Sequence, residues 1–199
     1  MANSNPTEAY FFGYGSLVNR NTHVYADARP ARLESWTRVW RQTDLRPVAY
    51  LTVVPDETSQ IDGLMAAVPA SGWAELDLRE RAYDRVAATH QVRHDLCAKP
   101  QVVVYSIPDG KHGQPDQTCP VLLSYIDVVA QGYLQVFGEN GARAFFKTTQ
   151  GWDSPVRDDR AAPIYPRHQL LSDYERGLVD EMLIEVGARV LSKNETEIF

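Results

Sequence analysis

Apolar residues fall in short runs along the first half of the chain and at helical spacing along the second. Residues 9–14 are an aromatic run ending in Gly15-Ser16, which predicts a buried strand entering a tight turn. Across 31–40, Leu33, Ser35, Thr37 and Val39 alternate with Arg32, Glu34, Trp36 and Arg38, the period of a strand. Segments 48–54 and 63–68 are two more apolar runs, and the turn-rich Pro55-Asp56-Glu57-Thr58 between them suits a hairpin. Segments 86–92 and 102–107 complete about six strands. Helical spacing appears at 72–83, with Ser71 as the expected cap, and at 121–137, where Leu122, Ile126, Val129, Tyr133 and Phe137 share a face. A short helix is expected at 141–148. Ser172-Asp173-Tyr174-Glu175 has the form of a capping box opening a last helix, which runs to about Val186.

Two segments carry no period. Residues 108–120 are rich in Gly, Pro and Asp and read as a surface loop. Residues 151–167 hold three prolines and many charges, and an irregular loop of that length is usually functional. Strands come first and long helices last, so the fold class is α+β rather than a βαβ alternation.

Composition narrows the function. A chain of 199 residues, 44% hydrophobic, can bury a core without disulfides. It reads as one domain over 1–199, with 1–8 and 193–199 frayed. No apolar run is long enough to span a membrane, and the first residues lack the basic and apolar regions of a signal peptide. Cys97 and Cys119 form no disulfide framework, which favours a reducing compartment and a cytoplasmic setting. A net charge of −6 with mixed signs argues against a nucleic-acid partner and for a small molecule or a protein.

Two motifs carry candidate chemistry. In Phe12-Gly13-Tyr14-Gly15-Ser16-Leu17, glycines allow positive φ or close approach to a ligand, and successive N–H groups can form an anion-binding nest. A plain tight turn after a core strand explains the same pattern. The spacing is neither a dinucleotide fingerprint nor a Walker loop. In the segment 72–83, Trp73, Leu76, Glu80 and Tyr83 fall within a helical arc of about 80°. Glu80 thus sits inside an apolar stripe, while Glu75, Arg79 and Arg81 project elsewhere. A carboxyl so placed favours its neutral form and can both take and give a proton near neutral pH. A glutamate paired with an arginine from another strand fits equally well.

Other groupings are weaker. Cys97 with His90 or His94 would suit a thiol hydrolase, but a lone cysteine is more often a small core residue. His90-x-x-x-His94 has a helical metal-ligand spacing in a segment that reads as a strand, so a surface role is favoured. Asp153, Asp158 and Asp159 read as solvated, and Arg157 or Arg160 is placed to reach a substrate carboxylate.

At these two motifs the sequence resembles the gamma-glutamylcyclotransferase-like superfamily, which includes the ChaC-type enzymes. Tyr14-Gly15-Ser16 matches its Tyr-Gly-Ser after the first strand. Leu76-Asp77-Leu78-Arg79-Glu80, followed by Tyr83, matches Leu-Asp-x-Arg-Glu and the tyrosine that follows it in ChaC-like branches. A looser match is Ser124-Tyr125-Ile126-Asp127, and the likeness spans 10–133. The resemblance implies a small mixed β-barrel with flanking helices and Glu80 as general acid/base. It implies substrate contacts from Tyr14, Gly15, Ser16, Leu17, Tyr83 and Tyr125, and neither metal nor cofactor. The implied partner is a gamma-glutamyl compound, cyclised to 5-oxoproline, and a homodimer is compatible with it. Departures are Leu17-Val18-Asn19-Arg20, where the glutathione-acting ChaC branch has Leu-Ile-Trp after Tyr-Gly-Ser, and Ala82 in place of a glycine. The insertions 108–120 and 151–167 also set this chain apart. They bear on the leaving group more than on the chemistry. A non-catalytic binding or regulatory module on the same fold is the alternative.

Overall fold

Two strands far longer than usual set the architecture. In the computed structural model, which describes residues 9–116 and 118–191, β2 (Ala26–Thr43) and β3 (Arg46–Val68) form one hairpin turned at Asp44-Leu45. Their 18 and 23 residues exceed the common strand length of about 3–10. Register shifts between Ala26 and Arg29, Glu34 and Trp36, and Gln42 and Thr43 interrupt the pairing. Such bulges bend a strand and raise its twist, and the sheet curls into a half-barrel. Asp27 (φ 51°) and Ser35 (φ 63°) take left-handed backbone at the first two shifts.

These shifts overturn two expectations. No hairpin lies within 48–68. Trp36 pairs with Pro55 and Glu34 with Gln60, so the turn-rich segment bulges out of one continuing strand. The alternation across 31–40 also changes parity at Ser35. Leu33 is buried before it, and Trp36, Arg38 and Trp40 are buried after it, although those three stand on the side expected to be polar. Thr37 and Val39 are buried too, so both faces are covered there.

Around this hairpin lie β1 (Ala9–Gly13), β4 (Asp84–Ala87), β5 (Val92–Arg93) and β6 (Gln101–Ser106), in the order β4-β6-β1-β3-β2-β5. Only β1 and β6 pair in parallel along that path. The strand expected over 86–92 is two short pieces, β4 and β5, with His90 exposed in the turn between them. Cys97 is exposed rather than a core residue.

Helix α1 (Trp73–Arg79) stops four residues short of the expected 72–83 segment, since the chain leaves helical geometry at Glu80 (φ −96°, ψ 29°). Gly72 is its N-cap, and no side chain caps it, so Ser71 does not play that part. α2 (Leu123–Lys147) joins the two helices expected at 121–137 and 141–148 through a break at Gly138 (φ 69°). α3 (Asp173–Glu185) opens with the expected capping box: Ser172 accepts from the Glu175 N–H, and the Glu175 carboxylate accepts from the Ser172 N–H.

Segment 151–167 is not structureless. Following β8 (Thr149–Gln150), which pairs with β2, it contains β9 (Val156–Arg157), flanked in a small parallel sheet by β7 (Val121–Leu122) and β10 (Val190–Leu191). Asp159, expected in solvent, is buried and accepts from both the Ser124 N–H (2.8 Å) and the Ser124 hydroxyl (2.6 Å). It satisfies an end group of α2 from outside the helix. The frayed ends expected at 1–8 and 193–199 lie outside the described residues. No helix among the described residues is long and apolar enough to cross a membrane.

The core packs Trp40, Phe145, Phe146 and Trp152 ring against ring between the sheet and α2. Arg38, 1% exposed, lies in it with its donors on the Tyr133 hydroxyl, the Asp62 carbonyl and the hydroxyls of Thr148 and Thr149. That network reaches the site, because the Tyr133 hydroxyl also lies 3.0 Å from the Tyr14 carbonyl oxygen.

Candidate active site

The turn after β1 is built to be held. Gly15 accepts from the Val18 N–H and Ser16 from the Asn19 N–H, closing a single 3-10 turn over Ser16–Val18. The first N–H groups of such a turn have no intrahelical partner. Asn19, fully buried, donates to the Val128 carbonyl (2.9 Å) and the Gln131 side chain (2.9 Å), tying the turn to α2. Gly132 permits this approach, since a Cβ there would come within 2.6 Å of the Asn19 nitrogen. His23 holds the other end. Its Nδ1 accepts from the Tyr25 N–H, so Nε2 carries the proton and donates to the Leu17 carbonyl at 3.1 Å. Burial, with Arg79 nearby, lowers the His23 pKa to about 4, which keeps the ring neutral.

Gly15 has φ −113°, so positive φ is not the reason for glycine. The reason is close approach: a Cβ there would collide with the Tyr125 hydroxyl. Tyr125 comes from the first turn of α2, and its ring packs edge-on against Trp40 and Tyr165.

Glu80 reaches this turn because α1 ends where it does. Its carboxylate, 15% exposed, pairs with Arg79 Nε at 2.9 Å. Arg79 was expected to point to solvent but is itself 9% exposed. It donates to the Ser16 hydroxyl (3.1 Å), the Thr22 carbonyl (2.8 Å) and the Thr22 hydroxyl (3.2 Å). One guanidinium thus fixes the carboxylate relative to the turn. The ion-pair reading of Glu80 applies, with the arginine next in sequence rather than on another strand. Burial pushes the Glu80 carboxyl above its ordinary value of 4.5, and Arg79 and Arg167 pull it back in part.

Two adjoining cavities meet at Glu80. The inner one, about 30 Å³, is lined by Tyr14, Gly15, Ser16, Leu17 and Glu80 among others. The outer one, about 350 Å³, is within the size range of ligand sites. Ser16, Leu51, Glu80, Tyr83 and Tyr125 line both. Tyr14, Gly15, Ser16, Leu17, Glu80, Tyr83 and Tyr125 therefore converge here, whereas Gly13, Trp73 and Leu76 line neither cavity. Two hydroxyls are already engaged: Tyr14 donates to the Tyr105 carbonyl (2.6 Å) and Tyr83 to the Leu51 carbonyl (2.9 Å). Burial holds the Tyr83 and Tyr125 phenols well above their usual range, so both stay neutral.

Of the two arginines weighed in 151–167, Arg157 lines the outer cavity. Arg160 does not; it is clamped by Asp127 (2.7 Å) and Asp180 (2.6 Å). Sequence reading missed Arg46 and Arg167, which also line it, as do Ile164 and Tyr165. No periodicity marks them, because they come from a strand end and an irregular segment. Among the described residues no three His, Cys, Asp or Glu side chains gather as metal ligands, and His90 and His94 stay apart from the cavity.

Comparison with known proteins bears on the fold and the family. No curated protein matches the sequence. Among solved structures, one named gamma-glutamyl cyclotransferase aligns with TM-score 0.56 at 12% identity over 87% of this chain and 99% of its own. An uncharacterised Homo sapiens protein, loc79017, aligns with TM-score 0.58 at 13% identity over 88% and 99%. YkqA from Bacillus subtilis aligns with TM-score 0.56 at 16% identity over 73% and 57%. At these identities the likeness establishes the shared fold. The sequence model described as "Gamma-glutamyl cyclotransferase, AIG2-like" matches residues 11–123, a stretch that holds the Tyr14–Leu17 turn, Glu80 and the wall formed by β3, and the chain belongs to that family.

Proposed function

We propose that this chain is a gamma-glutamylcyclotransferase that converts a gamma-glutamyl amide to 5-oxoproline and a free amine, with Glu80 as general acid/base. The observation that carries the reading is the Glu80 carboxylate, buried where the two cavities meet and locked by Arg79 to the Ser16 turn.

The substrate supplies its own nucleophile. Its α-ammonium gives a proton to the Glu80 carboxylate, and the freed amine attacks the side-chain amide carbon, closing a five-membered ring. The oxyanion meets the N–H groups of the turn and the neutral Tyr125 hydroxyl. Collapse breaks the amide C–N bond as Glu80 returns its proton to the departing nitrogen, and the ring nitrogen then gives its second proton to the Glu80 carboxylate, which passes it to the released amine. Because both reacting groups belong to one molecule, orientation alone supplies up to about 7–11 kcal/mol of the acceleration. The rigidity of the turn serves that end. A carboxyl with a raised pKa suits both proton transfers better than an ordinary glutamate.

The test is release of 5-oxoproline by the wild type and by Glu80→Gln, with Glu75→Gln on the exposed side of α1 as control. General acid–base help is worth about 10²–10⁴-fold, so turnover in Glu80→Gln is expected to fall at least about a hundredfold while Glu75→Gln stays near wild type. Near-normal turnover in Glu80→Gln removes Glu80 from the mechanism. A wild-type protein that binds gamma-glutamyl compounds without releasing 5-oxoproline is a binding module.

A further inference from the structure

The outer cavity is positively charged beyond what a gamma-glutamyl group requires. Arg46, Arg79, Arg81, Arg157 and Arg167 line it, against one acid, Glu80. The chain as a whole carries −6, so this is a local concentration of cations. Arg79 is committed to Glu80 and the turn. Among the described residues, Arg46, Arg81, Arg157 and Arg167 have no carboxylate in ion-pair range. A gamma-glutamyl group brings one ammonium, which Glu80 receives, and one α-carboxylate. Arg167 lines the cavity two residues from Tyr165, whose ring packs on Tyr125, and its charge acts on the Glu80 carboxyl, so the α-carboxylate is assigned to it. Arg46, Arg81 and Arg157 remain. Arg46, Arg81 and Tyr50 line the same chamber, and both charges oppose the burial that raises the Tyr50 phenol. Arg157 faces in from β9.

Clustered like charges in a concave, partly apolar site raise the local potential and attract anions. Guanidinium forks match carboxylates in particular. We infer that the outer cavity selects a leaving amine that carries carboxylates, an amino dicarboxylate above all, with Arg46, Arg81 and Arg157 as the specificity-determining residues. This rests on the cyclotransferase reading above. It assigns the gamma-glutamyl group to the end of the outer cavity lined by Ser16, Glu80 and Tyr125, since the inner one is too small for it, and the arginine-lined remainder to the amine that departs. Cationic leaving groups, such as diamines and lysine side chains, are disfavoured by the same charges.

A near-isosteric series tests it: gamma-glutamyl-glutamate, gamma-glutamyl-glutamine, gamma-glutamyl-glutamine amide and gamma-glutamyl-lysine amide, whose leaving amines carry two, one and no carboxylates and finally a cation. Both 5-oxoproline release and calorimetric binding to Glu80→Gln are measured. The expected result is that kcat/KM falls by about tenfold for each carboxylate removed, chiefly through KM, as charge-assisted bonds are lost. The spread should narrow at high salt, because partly exposed charges are screened. Arg157→Gln, and separately Arg46→Gln on the exposed rim, should compress the ratio between the first and third substrates. Equal kcat/KM across the series, or an unchanged ratio in both variants, overturns the inference and leaves the cyclotransferase reading standing. No 5-oxoproline from any member, with binding still ranked by carboxylate number, overturns the reading and keeps the anion-selective chamber. Neither turnover nor ranked binding overturns both.

Discussion

The two cavities that share Glu80 are built on opposite plans. In the inner one, polar groups are engaged with the protein itself, Tyr14 with the Tyr105 carbonyl and Tyr83 with the Leu51 carbonyl, and Arg79 of the outer wall ties Ser16 and Glu80 together where the two meet. The outer one presents Arg46, Arg81, Arg157 and Arg167 without carboxylate partners among the described residues. A ring closure gains from groups that do not move, since misplacement by about 1 Å can cost about a hundredfold. Recognition of a variable leaving group gains from cations kept free to bind it. The contrast between Arg79 and Arg157 shows it within one residue type: the first holds the Glu80 carboxylate against the Ser16 turn, and the second lines the cavity without a carboxylate partner among the described residues.

Substitutions can break either plan. The largest effect is expected from Glu80→Gln, the loss of at least about a hundredfold in turnover described above. Next is Gly15→Ala, which sets a methyl against the Tyr125 hydroxyl. Displacement of the turn or of Tyr125 should lower kcat by about 10–100-fold. The double variant Gly15→Ala/Tyr125→Phe should be less impaired than the two single losses combined, because the phenylalanine lacks the clashing oxygen. Strict multiplicativity would mean that the glycine serves something other than this contact.

Arg79→Gln sharpens the comparison through pH. Arg79 holds the Glu80 carboxyl down against burial, so its removal should raise that pKa further and move the acid limb of the kcat/KM profile to higher pH. An acid limb that stays in place would separate Glu80 from the ionisation seen in the profile. The same carboxyl bears on stability. Its pKa is raised on folding, so its contribution is fully present below the unfolded value near 4.5 and is lost as pH rises through the folded value. Denaturation midpoints of Glu80→Gln relative to wild type should therefore shift in favour of the variant as pH climbs from 4 towards neutrality.

The smallest effect concerns His23. Its pKa is depressed to about 4 from 6.5, so the folded state binds fewer protons than the unfolded state between those values. The stability this gives is present above pH 6.5 and is lost as pH falls towards 4. Denaturant unfolding of wild type between pH 7 and pH 4 should show that slope, and His23→Gln should flatten it by an amount on the order of 1 kcal/mol, given the partial exposure of the ring. An identical slope in the variant would assign the acid sensitivity to other groups.

Much of the site was legible before the structure. Local chemistry marks the Tyr14–Leu17 turn, since two glycines around a tyrosine after an apolar run serve few purposes. Glu80 stood out as a carboxylate among Trp73, Leu76 and Tyr83, and the capping box at Ser172 was readable because all of its bonds lie within four residues. Ser35 marks the limit. Its alternation looked unbroken, yet a bulge there reverses which side chains face the core, and nothing local distinguishes a serine at φ 63° from one in a straight strand.

By itself, the sequence determined the elements whose causes are local or periodic: the aromatic first strand, the α2 stripe from Ile126 to Phe137 and the α3 cap, whereas the helical arc that singled out Glu80 is cut at Arg79. The end of α1 at Arg79 was decided by tertiary structure, because Arg79 gains more from the Ser16–Thr22 turn some sixty residues away in sequence than from solvent. So were the burial of Asp159 under α2, the separation of Arg157 from Arg160, and the arrival of Arg46 and Arg167 at one chamber. Those outcomes depend on which carboxylate or backbone group lies within about 3 Å once distant segments pack, and hydrogen-bond energy falls off too steeply with distance and angle for chain order to encode it.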